Sequence, residues 1–287
     1  MSRIAYVNGR FLPHVNAAVS IDDRGFLFAD AVYEVCEVRD GEVIDSTLHL
    51  DRLERSLREL RIRMPMSRAA LLVVMRQTIK RNRVRNGGIY IQISRGQSPR
   101  DHLFPNPEVP PTVVMTAKPH DRAKAEAQAA KGIAVITVPD NRWERVDIKS
   151  VGLLPNCLAK QAAKEAGAKE AWFVDAQGFV TEGSSTNAWI VTAARELVTR
   201  PAETGILRGI TRTVLLKVAD KLGLRVVERA FTVDEAKAAT EAFITAATTL
   251  VMPVVSIDGS PVGDGHPGET APALRRAFHD SAEHLPV

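Results

Sequence analysis

The sequence predicts an α+β fold that is divided into two domains. Its 287 residues exceed what one ordinary domain contains and suit two domains. Segments with the two-residue period of strands are intermixed with segments of helical period, but the two kinds do not alternate strictly. A doubly wound parallel sheet needs that alternation, so two α+β lobes are the better expectation.

A charged, alanine-rich segment from Lys118 to Gln128 marks the expected domain junction. We therefore predict a smaller N-terminal α/β domain at residues 1–119, an interdomain loop at 120–124 and a larger C-terminal domain at 125–287. Neither half contains an internal repeat or a low-complexity segment.

The N-terminal half alternates between strand and helix signals. An Asn-Gly turn joins two short strands, and leucines at steps of three and four mark an amphipathic helix. A serine can cap the next helix. The predicted elements are a hairpin at 3–13, a strand at 32–38 that returns at 43–44, a helix with Leu50, Leu53, Leu57 and Leu60, a helix after Ser67, and strands at 89–94 and 112–116.

The C-terminal half continues the same mixture, with glycines and turn dipeptides separating its segments. A threonine with a glutamate three residues later predicts a capping box, and a proline can occupy the first turn of the last helix. The predicted elements are strands at 132–138, 171–174, 179–180, 187–192, 197–199 and 242–245, helices at 155–167, after Gly209, after Thr232 with Glu235, and after Pro267, and a hairpin around Asp258-Gly259.

Composition excludes several functional classes. The 38 basic and 34 acidic side chains leave a small, scattered excess of positive charge, which gives no reason to expect nucleic-acid binding. Cys36 and Cys157 are far apart, which argues against a disulfide framework or a zinc site and fits a reducing compartment. There is no His-Glu-x-x-His or Cys-x-x-Cys motif, so no metal is expected.

Membrane insertion and export are not expected either. No apolar run approaches the ~20 residues of a membrane span, and the N-terminus lacks an apolar core of signal-peptide length. We therefore expect a cytoplasmic protein.

The most suggestive stretch is Asp147-Ile148-Lys149-Ser150, which precedes a predicted helix. A lone lysine is usually a solvated surface charge. Downstream, however, the small-residue loop at 181–187 contains a single carboxylate, Glu182. A lysine that forms Schiff bases and a carboxylate that pairs a pyridinium nitrogen are the minimal requirement for pyridoxal phosphate (PLP) chemistry, which is our hypothesis.

Two further patterns fit this hypothesis, although each has a simpler explanation. Gly209, Ile210 and Thr211 start a predicted helix, whose backbone N–H groups could bind a phosphate, but many helices start with a threonine. Arg52 is a second phosphate candidate or a surface arginine. In one loop, Arg100 and His102 could hold a substrate carboxylate, or they could simply be solvated.

Several motifs, taken in chain order, resemble those of the fold-type IV, class IV PLP-dependent aminotransferases. The loop from Arg95 to Pro105 resembles that of the D-amino acid aminotransferases within this family. It differs from the corresponding loops of branched-chain aminotransferases, (R)-amine transaminases and aminodeoxychorismate lyases. The motifs are Asp23-Arg24-Gly25-Phe26, Asp30-Ala31-Val32-Tyr33-Glu34-Val35, His49-Leu50-Asp51-Arg52-Leu53, Asp147-Ile148-Lys149-Ser150, Thr181-Glu182-Gly183-Ser184-Ser185 and Gly209-Ile210-Thr211-Arg212.

The resemblance implies a role for each matching residue. Lys149 would be the Schiff-base lysine and the proton-transfer base, and Glu182 would pair the pyridine nitrogen of PLP. Arg52 and the amides of Ile210 and Thr211 would bind the phosphate, and Leu207 would pack on the ring. The remaining implied ligands are Ser185 and Ala247 for the cofactor, and Tyr33, Arg100 and His102 for the substrate carboxylate.

The resemblance also implies the reaction and the assembly. The expected activity is ping-pong transamination between a D-amino acid (D-alanine, D-glutamate or D-aspartate) and 2-oxoglutarate or pyruvate. Arg100 and His102 would reach the neighbouring active site of a homodimer. Family members usually have hydroxyl side chains where this chain has Ala246-Ala247. The alternatives are an (R)-amine transaminase, a branched-chain aminotransferase, an aminodeoxychorismate lyase, or a PLP carrier without catalytic activity.

Overall fold

The computed structural model describes residues 3–203 and 205–287. The chain forms two compact units, and each unit consists of segments that are not contiguous in sequence. The first runs to Asp121 and includes Ile148–Gly152 and Glu283–Val287, whereas the second consists of Arg122–Asp147 and Leu153–Ala282. Residues 1 and 2 of the predicted N-terminal domain lie outside the described residues.

Helices and strands are numbered in chain order. The helices are α1 (Arg24–Phe28), α2 (Ser46–Glu59), α3 (Arg68–Asn82), α4 (Arg122–Lys131), α5 (Leu154–Glu165), α6 (Ile210–Lys221), α7 (Val233–Lys237) and α8 (Thr270–Ala277), with a 3-10 turn at His14–Asn16. The strands are β1 (Ile4–Val7), β2 (Arg10–Pro13), β3 (Ala31–Arg39), β4 (Glu42–Ile44), β5 (Gly87–Ser94), β6 (Thr112–Pro119), β7 (Ile133–Pro139), β8 (Glu170–Val174), β9 (Val180–Gly183), β10 (Asn187–Val191), β11 (Glu196–Thr199), β12 (Arg225–Glu228), β13 (Glu241–Ala246), β14 (Leu250–Ile257), β15 (Ser260–Pro261) and β16 (His284–Pro286).

The first unit contains an antiparallel sheet with the order β16-β4-β3-β5-β6-β1-β2. Its hydrophobic core includes the regularly spaced leucines of α2, apolar residues of α3 and the alternating isoleucines of β5. The periodicities of α2 and β5 therefore follow from burial of one face of each element. The core members are Leu50, Leu53, Leu57, Leu71, Met75, Ile89, Ile91 and Ile93.

The segment Ile148–Gly152 belongs to the first unit because it pairs with β3. Ser150 forms an antiparallel bridge with Val32, and the Tyr33 amide donates to the Lys149 carbonyl at 3.0 Å. Ile148 is buried in the core of this unit. This backbone pairing places Lys149 beside the N-terminal part of β3.

The second unit contains a mixed sheet of nine strands in the part of the chain that is described. Its order is β12-β11-β10-β13-β14-β7-β8-β9, with β15 paired to β14. Three of the pairs are parallel, namely β11 with β12, β14 with β7, and β7 with β8. The core of the unit includes the buried aromatic side chains of Trp172 and Phe231, which meet edge to face.

The two predicted helix caps differ in how completely they form. Ser67 accepts a hydrogen bond from the Ala70 amide at 3.3 Å, as expected. Thr232 accepts from the Glu235 amide at 3.1 Å, but the Glu235 carboxylate pairs with the Arg229 guanidinium. Only the threonine half of the capping box is therefore made, because a nearby cation competes for the glutamate.

Two predicted boundaries are wrong. The last helix begins at Thr270 and not near Pro267, because the Glu241 carboxylate accepts hydrogen bonds from the amides of Thr270 and Ala271 and fixes the first turn there. The expected loop at 120–124 is helical from Arg122 onward. Alanines alternating with arginine, lysine and glutamate are strong helix formers, which explains the early start.

Residues 3–203 and 205–287 contain neither a helix suited to span a membrane nor a cluster of side chains suited to hold a metal ion. None of the helices in these ranges combines the length and apolarity needed to cross a membrane. In the same residues, histidine, cysteine, aspartate and glutamate side chains form no group of three or more that could hold a metal ion.

Candidate active site

The structure brings Lys149 together with Tyr33, two residues that were predicted to act at the same site. The Lys149 ammonium Nζ lies 4.2 Å from the centroid of the Tyr33 ring. The Tyr33 ring stacks in turn on Tyr90, with 5.7 Å between the ring centroids. Burial, with a smaller effect of Tyr33, raises the pKa of Tyr90 to about 12, so Tyr90 stays neutral. The lysine thus lies against the ring of Tyr33, which is itself stacked on the ring of Tyr90.

Arg52 is held by Glu34, which lies in one of the family-like motifs but has no predicted role. The Glu34 carboxylate is fully buried and accepts from Arg52 Nε at 2.7 Å and from Arg52 Nη2 at 2.8 Å. His49 Nδ1 lies 2.7 Å from the same carboxylate. Burial opposes ionisation of Glu34, but Arg52 and His49 outweigh it and lower its pKa to about 2. The two-point contact fixes the orientation of the guanidinium.

Arg100 and His102 lie in the first unit on the exposed loop between β5 and β6. Both side chains approach one aromatic ring, that of Phe28 in α1. The Arg100 Cζ atom is 5.3 Å from the ring centroid of Phe28, and the His102 ring centroid is 5.5 Å from it. The loop therefore brings a cation and an imidazole to one aromatic ring, and both kinds of side chain can bind a carboxylate.

Glu182 lies on β9 of the second unit, and its side chain is 7 % exposed. Its carboxylate accepts from Arg142 Nη1 at 2.5 Å, from Asn187 Nδ2 at 3.0 Å and from the Leu207 amide at 3.2 Å. Asp140 accepts from Arg142 as well, from Nε at 2.9 Å. The carboxylate that was predicted to pair a pyridine nitrogen is thus held by three N–H donors.

Arg142 is charged in spite of its burial, because carboxylates surround it. Burial alone would lower its pKa, but hydrogen bonding and charge on Asp140 and Glu182 raise it. Conversely, burial opposes ionisation of Asp140, while Arg142 and Thr181 bring the pKa of Asp140 below its ordinary value. The cation between the two carboxylates is therefore a permanent part of the site.

The predicted phosphate ligands of the second unit lie at a helix start and in a turn. Ile210 and Thr211 are the first residues of the twelve-residue helix α6, and both are buried. The preceding residue is Gly209, where a Cβ atom would lie 2.1 Å from Asn187 Oδ1. Ala247 is half-buried in the turn between β13 and β14. A helix N-terminus offers unpaired N–H groups to an anion.

Ser185 belongs to a loop that is held by a second buried carboxylate. Glu170 is fully buried and accepts hydrogen bonds from the hydroxyl groups of Ser184, of Ser185 at 3.3 Å and of Thr186 at 3.3 Å. Lys160 Nζ lies 3.2 Å from the Glu170 carboxylate. These bonds fix the conformation of the loop that follows Glu182.

Sequence reasoning missed the residues that hold these groups. For Glu34 a signal was available, because it shares one face of a strand with Val32 and Cys36, and a carboxylate on an apolar face needs a partner. For Arg142 and Glu170 no local pattern distinguishes them from other charged residues. The Glu182 carboxylate that Arg142 holds lies 40 positions further along the chain, and the hydroxyl groups that bind Glu170 lie 14 to 16 positions after it.

Comparison with known proteins places this chain in a family. The sequence model of the family described as amino-transferase class IV matches residues 31–257. The chain belongs to this family. It is a PLP-dependent aminotransferase with the α+β fold of fold type IV, which confirms the predicted fold class, enzyme class and cofactor.

Similar proteins include D-alanine aminotransferases and a branched-chain amino acid aminotransferase. The D-alanine aminotransferase of Staphylococcus haemolyticus is 39% identical over 279 residues, which cover 97% of each chain. The D-alanine aminotransferase of Bacillus licheniformis is 39% identical over 274 residues, covering 96% of this chain and 95% of the relative. Among solved structures, the branched-chain amino acid aminotransferase of the archaeon Thermoproteus uzoniensis with norvaline superposes with a TM-score of 0.84 at 25% identity, covering 97% of this chain and 94% of that one.

The residues present suit this cofactor. The first unit supplies a lysine amine and an arginine oriented by a buried carboxylate. The second supplies a fixed carboxylate and a helix N-terminus. A Schiff-base amine, a partner for a pyridinium nitrogen and donors for a phosphate are the groups that PLP requires of a protein.

Proposed function

We propose that this aminotransferase transfers an amino group between a D-amino acid and a 2-oxo acid, by a ping-pong mechanism. The preferred donors are D-alanine, D-glutamate and D-aspartate, and the acceptors are 2-oxoglutarate and pyruvate. The observation that supports this most is the placement of both Arg100 and His102 against the ring of Phe28. Relatives that are 39% identical over nearly the whole chain carry the name D-alanine aminotransferase.

Lys149 is the proposed catalytic residue. Its amine would hold the cofactor covalently and, once released by the substrate, would take the proton from the substrate Cα and return it to C4′ of the cofactor. When bound, PLP supplies an acceptor for the electron pair that remains when Cα loses its proton. The Tyr33 ring beside Nζ limits the directions in which the lysine can move.

The remaining cofactor ligands are proposed residue by residue. Glu182, held by Arg142 and Asn187, would keep the pyridine nitrogen protonated. Leu207 would pack on the ring. The phosphate would be bound by Arg52 and by backbone groups of α6 and of the turn between β13 and β14, with Ser185 in the neighbouring loop. These backbone groups belong to Ile210, Thr211 and Ala247.

Tyr33, Arg100 and His102 are the proposed ligands of the substrate carboxylate. When the carboxylate is fixed, only one of the other substituents of Cα can face Lys149, so the side on which the carboxylate is held selects the configuration of the substrate. We propose further that Arg100 and His102 act in the neighbouring active site of a homodimer. Both side chains are exposed within their own chain.

The substrate assay compares two amino donors. Purified protein with PLP is incubated with D-alanine or with L-leucine, each with 2-oxoglutarate, and the 2-oxo acid product is quantified. Transfer from D-alanine is expected, and transfer from L-leucine alone would contradict the D-specific proposal. The L-leucine arm also tests branched-chain transamination, the second candidate, which the structural likeness to a branched-chain enzyme favours. Lys149→Ala provides the blank.

The homodimer proposal is tested by mixing two inactive variants. Arg100→Ala lacks the carboxylate ligand and Lys149→Ala lacks the base, so each variant alone should be inactive. If Arg100 acts in the partner's site, one of the two sites in each mixed dimer contains both residues, and a 1:1 mixture regains about one quarter of the wild-type activity. If Arg100 acts in its own chain, no site in the mixture contains both, and activity stays absent.

A further inference from the structure

We propose that Arg24 is a positioning residue for the carboxylate-binding loop, which we define as residues 96–105. Together with Phe28, Asp30 and Arg95 it forms a set that we call the arginine clamp. The clamp touches no reacting atom in this proposal. It fixes the loop so that Arg100 and His102 meet a substrate carboxylate in one geometry, and in this respect the inference rests on the proposed function.

The Arg24 side chain is tied to three consecutive carbonyl groups of the loop. It is 3 % exposed, and its Nη1 donates to the carbonyls of Asp101 at 2.5 Å and Leu103 at 3.1 Å. Its Nη2 donates to the carbonyl of His102 at 3.4 Å. The guanidinium has five N–H donors in a rigid planar fork, so these bonds define the path of the backbone on both sides of His102.

Asp30 anchors Arg24 and a second arginine at the beginning of the loop. Its Oδ2 accepts from Arg24 Nε at 2.9 Å and from Arg95 Nε at 2.7 Å. Arg95 also donates to the carbonyls of Leu60 at 2.7 Å and Arg61 at 2.9 Å, in the turn after α2. One carboxylate thus links the loop to two other parts of the first unit.

The far end of the loop is tied down by an aromatic side chain. The Cζ atom of Arg95 lies 3.5 Å from the ring centroid of Phe104, and that of Arg24 lies 5.9 Å from it. Both contacts are within the distance at which a guanidinium is attracted to an aromatic face. The loop therefore begins and ends at the clamp.

Phe28 connects the clamp to the two side chains that would bind substrate. Its ring lies 4.8 Å from Arg24 Cζ, on the same short helix. Arg100 and His102 both approach this ring, at 5.3 Å and 5.5 Å. Both side chains are otherwise exposed. Their contact with this ring and the fixed backbone of the loop therefore restrict the spacing between them. Ligands held in place before binding lose less freedom when the substrate arrives.

This arrangement predicts a separation of binding from chemistry. Loosening the clamp should weaken binding of any carboxylate at Arg100 and His102. The proton transfer at Lys149 should change little once substrate is bound. The expected signature is a raised KM with a nearly unchanged kcat.

The variants are Arg24→Met, Arg24→Lys and Phe28→Leu, with Arg68→Met as the matched control. Arg68 also pairs with carboxylates in the first unit, Glu54 at 3.0 Å and Asp51 at 2.5 Å, but it makes these contacts away from the loop. Lysine at position 24 keeps the charge beside Asp30 but lacks the fork that reaches the carbonyls. Its effect should therefore be intermediate.

The first measurement does not depend on turnover. Hydrogen–deuterium exchange of the PLP-loaded protein is followed in peptides that cover residues 96–105. Arg24→Met should exchange these amides about tenfold faster than wild type, because a lost net stabilisation near 1.4 kcal/mol corresponds to that factor. Arg68→Met should match wild type. Unchanged exchange in Arg24→Met would overturn the proposal.

The second measurement uses D-alanine as substrate and propionate as an unreactive carboxylate inhibitor. In Arg24→Met and Phe28→Leu, the KM for D-alanine and the Ki of propionate should both rise about tenfold, while kcat stays within about threefold. A fall in kcat with unchanged KM and Ki would overturn the proposal. If Arg24→Met does not fold, Phe28→Leu, whose ring is only half-buried, carries the same test.

The two measurements separate this proposal from the proposed function. If wild type fails to transfer the amino group of D-alanine, the proposed function fails, and the exchange experiment still decides whether Arg24 fixes the loop. If D-alanine is a substrate but exchange, KM and Ki are unaffected by Arg24→Met, the function stands and the clamp is rejected.

Discussion

Replacing Glu34 by glutamine should strongly destabilise the first unit. The substitution keeps the size of the side chain but removes the charge that Arg52 and His49 contact at 2.7 Å. The Arg52 side chain is only 10 % exposed, so this buried cation would lose the negative charge of Glu34 beside it. Removing one member of a buried ion pair costs about 3–5 kcal/mol.

The pKa of Glu34 gives a second, independent magnitude. Its fall from 4.5 to about 2 corresponds to about 3 kcal/mol, at ~1.4 kcal/mol per pH unit. Since the pKa is lower in the folded state, this stabilisation is fully present above about pH 4.5 and is lost as the pH falls towards 2. At pH 3 the wild type should have lost about 2 kcal/mol of it.

The assay is urea unfolding of cofactor-free protein, followed by tryptophan fluorescence at pH 7 and at pH 3. Removal of PLP excludes stabilisation by ligand binding. At pH 7, Glu34→Gln should lower the free energy of unfolding by about 3–5 kcal/mol, and the gap to wild type should narrow by about 2 kcal/mol at pH 3.

The control is Glu54→Gln on the same helix as Arg52. Glu54 accepts from Arg68 at 3.0 Å, but both side chains are about one-third exposed. An exposed pair of this kind contributes less than about 1 kcal/mol. The reasoning would be refuted if the two variants were equally stable, or if the effect of Glu34→Gln were the same at both pH values.

Substitutions at three further positions test the second unit and the proposed base. Gly209→Ala should lower stability by about 1–3 kcal/mol and reduce kcat, because the new Cβ would lie 2.1 Å from Asn187 Oδ1; unchanged thermal unfolding and turnover would contradict this. Thr232→Ala should lower the unfolding free energy in urea by about 1 kcal/mol through loss of the cap, whereas Thr232→Ser should restore it. Lys149→Ala should abolish transamination and borohydride-dependent attachment of PLP, measured by mass, with an unchanged circular dichroism spectrum; near-normal turnover would overturn the assigned role.

The sequence predicted those elements whose side-chain period coincides with burial. The leucines of α2 and the isoleucines of β5 repeat at the period of their element, because one face of each packs in the core. The strands β12 and β16 were not predicted. Each is short and its partner strand lies elsewhere in the chain, so residues next to it in sequence contain little information about its pairing.

The helix α1 was missed for a different reason. It has five residues, fewer than two turns, and therefore offers no amphipathic repeat to detect. Its start is fixed locally, since Asp23 accepts from the Gly25 amide at 2.8 Å. Its importance comes from the contacts of Arg24 and Phe28 with the carboxylate-binding loop, whose residues lie more than seventy positions away.

The same distinction applies to the site. Residues with a proposed chemical role, such as Lys149 and Glu182, were singled out because motifs that resemble those of the family surround them. The residues that orient them were not singled out. A residue of this kind is recognised by the side chain that it contacts in the fold, and its neighbours in sequence do not reveal that contact. Arg142, forty positions before Glu182 in the chain, is the clearest case.

Two buried ion pairs perform opposite tasks in the two units. In the first, Glu34 holds Arg52, whereas in the second, Arg142 holds Glu182. Burying such a pair is no gain in stability over well-packed apolar residues, since desolvation of both charges offsets their attraction. Stability alone therefore does not explain either pair. The need for a fixed charge explains both pairs, if Arg52 binds a phosphate and Glu182 pairs a pyridinium nitrogen as we propose. Each of these two groups of the cofactor then meets a protein charge that is already desolvated and oriented.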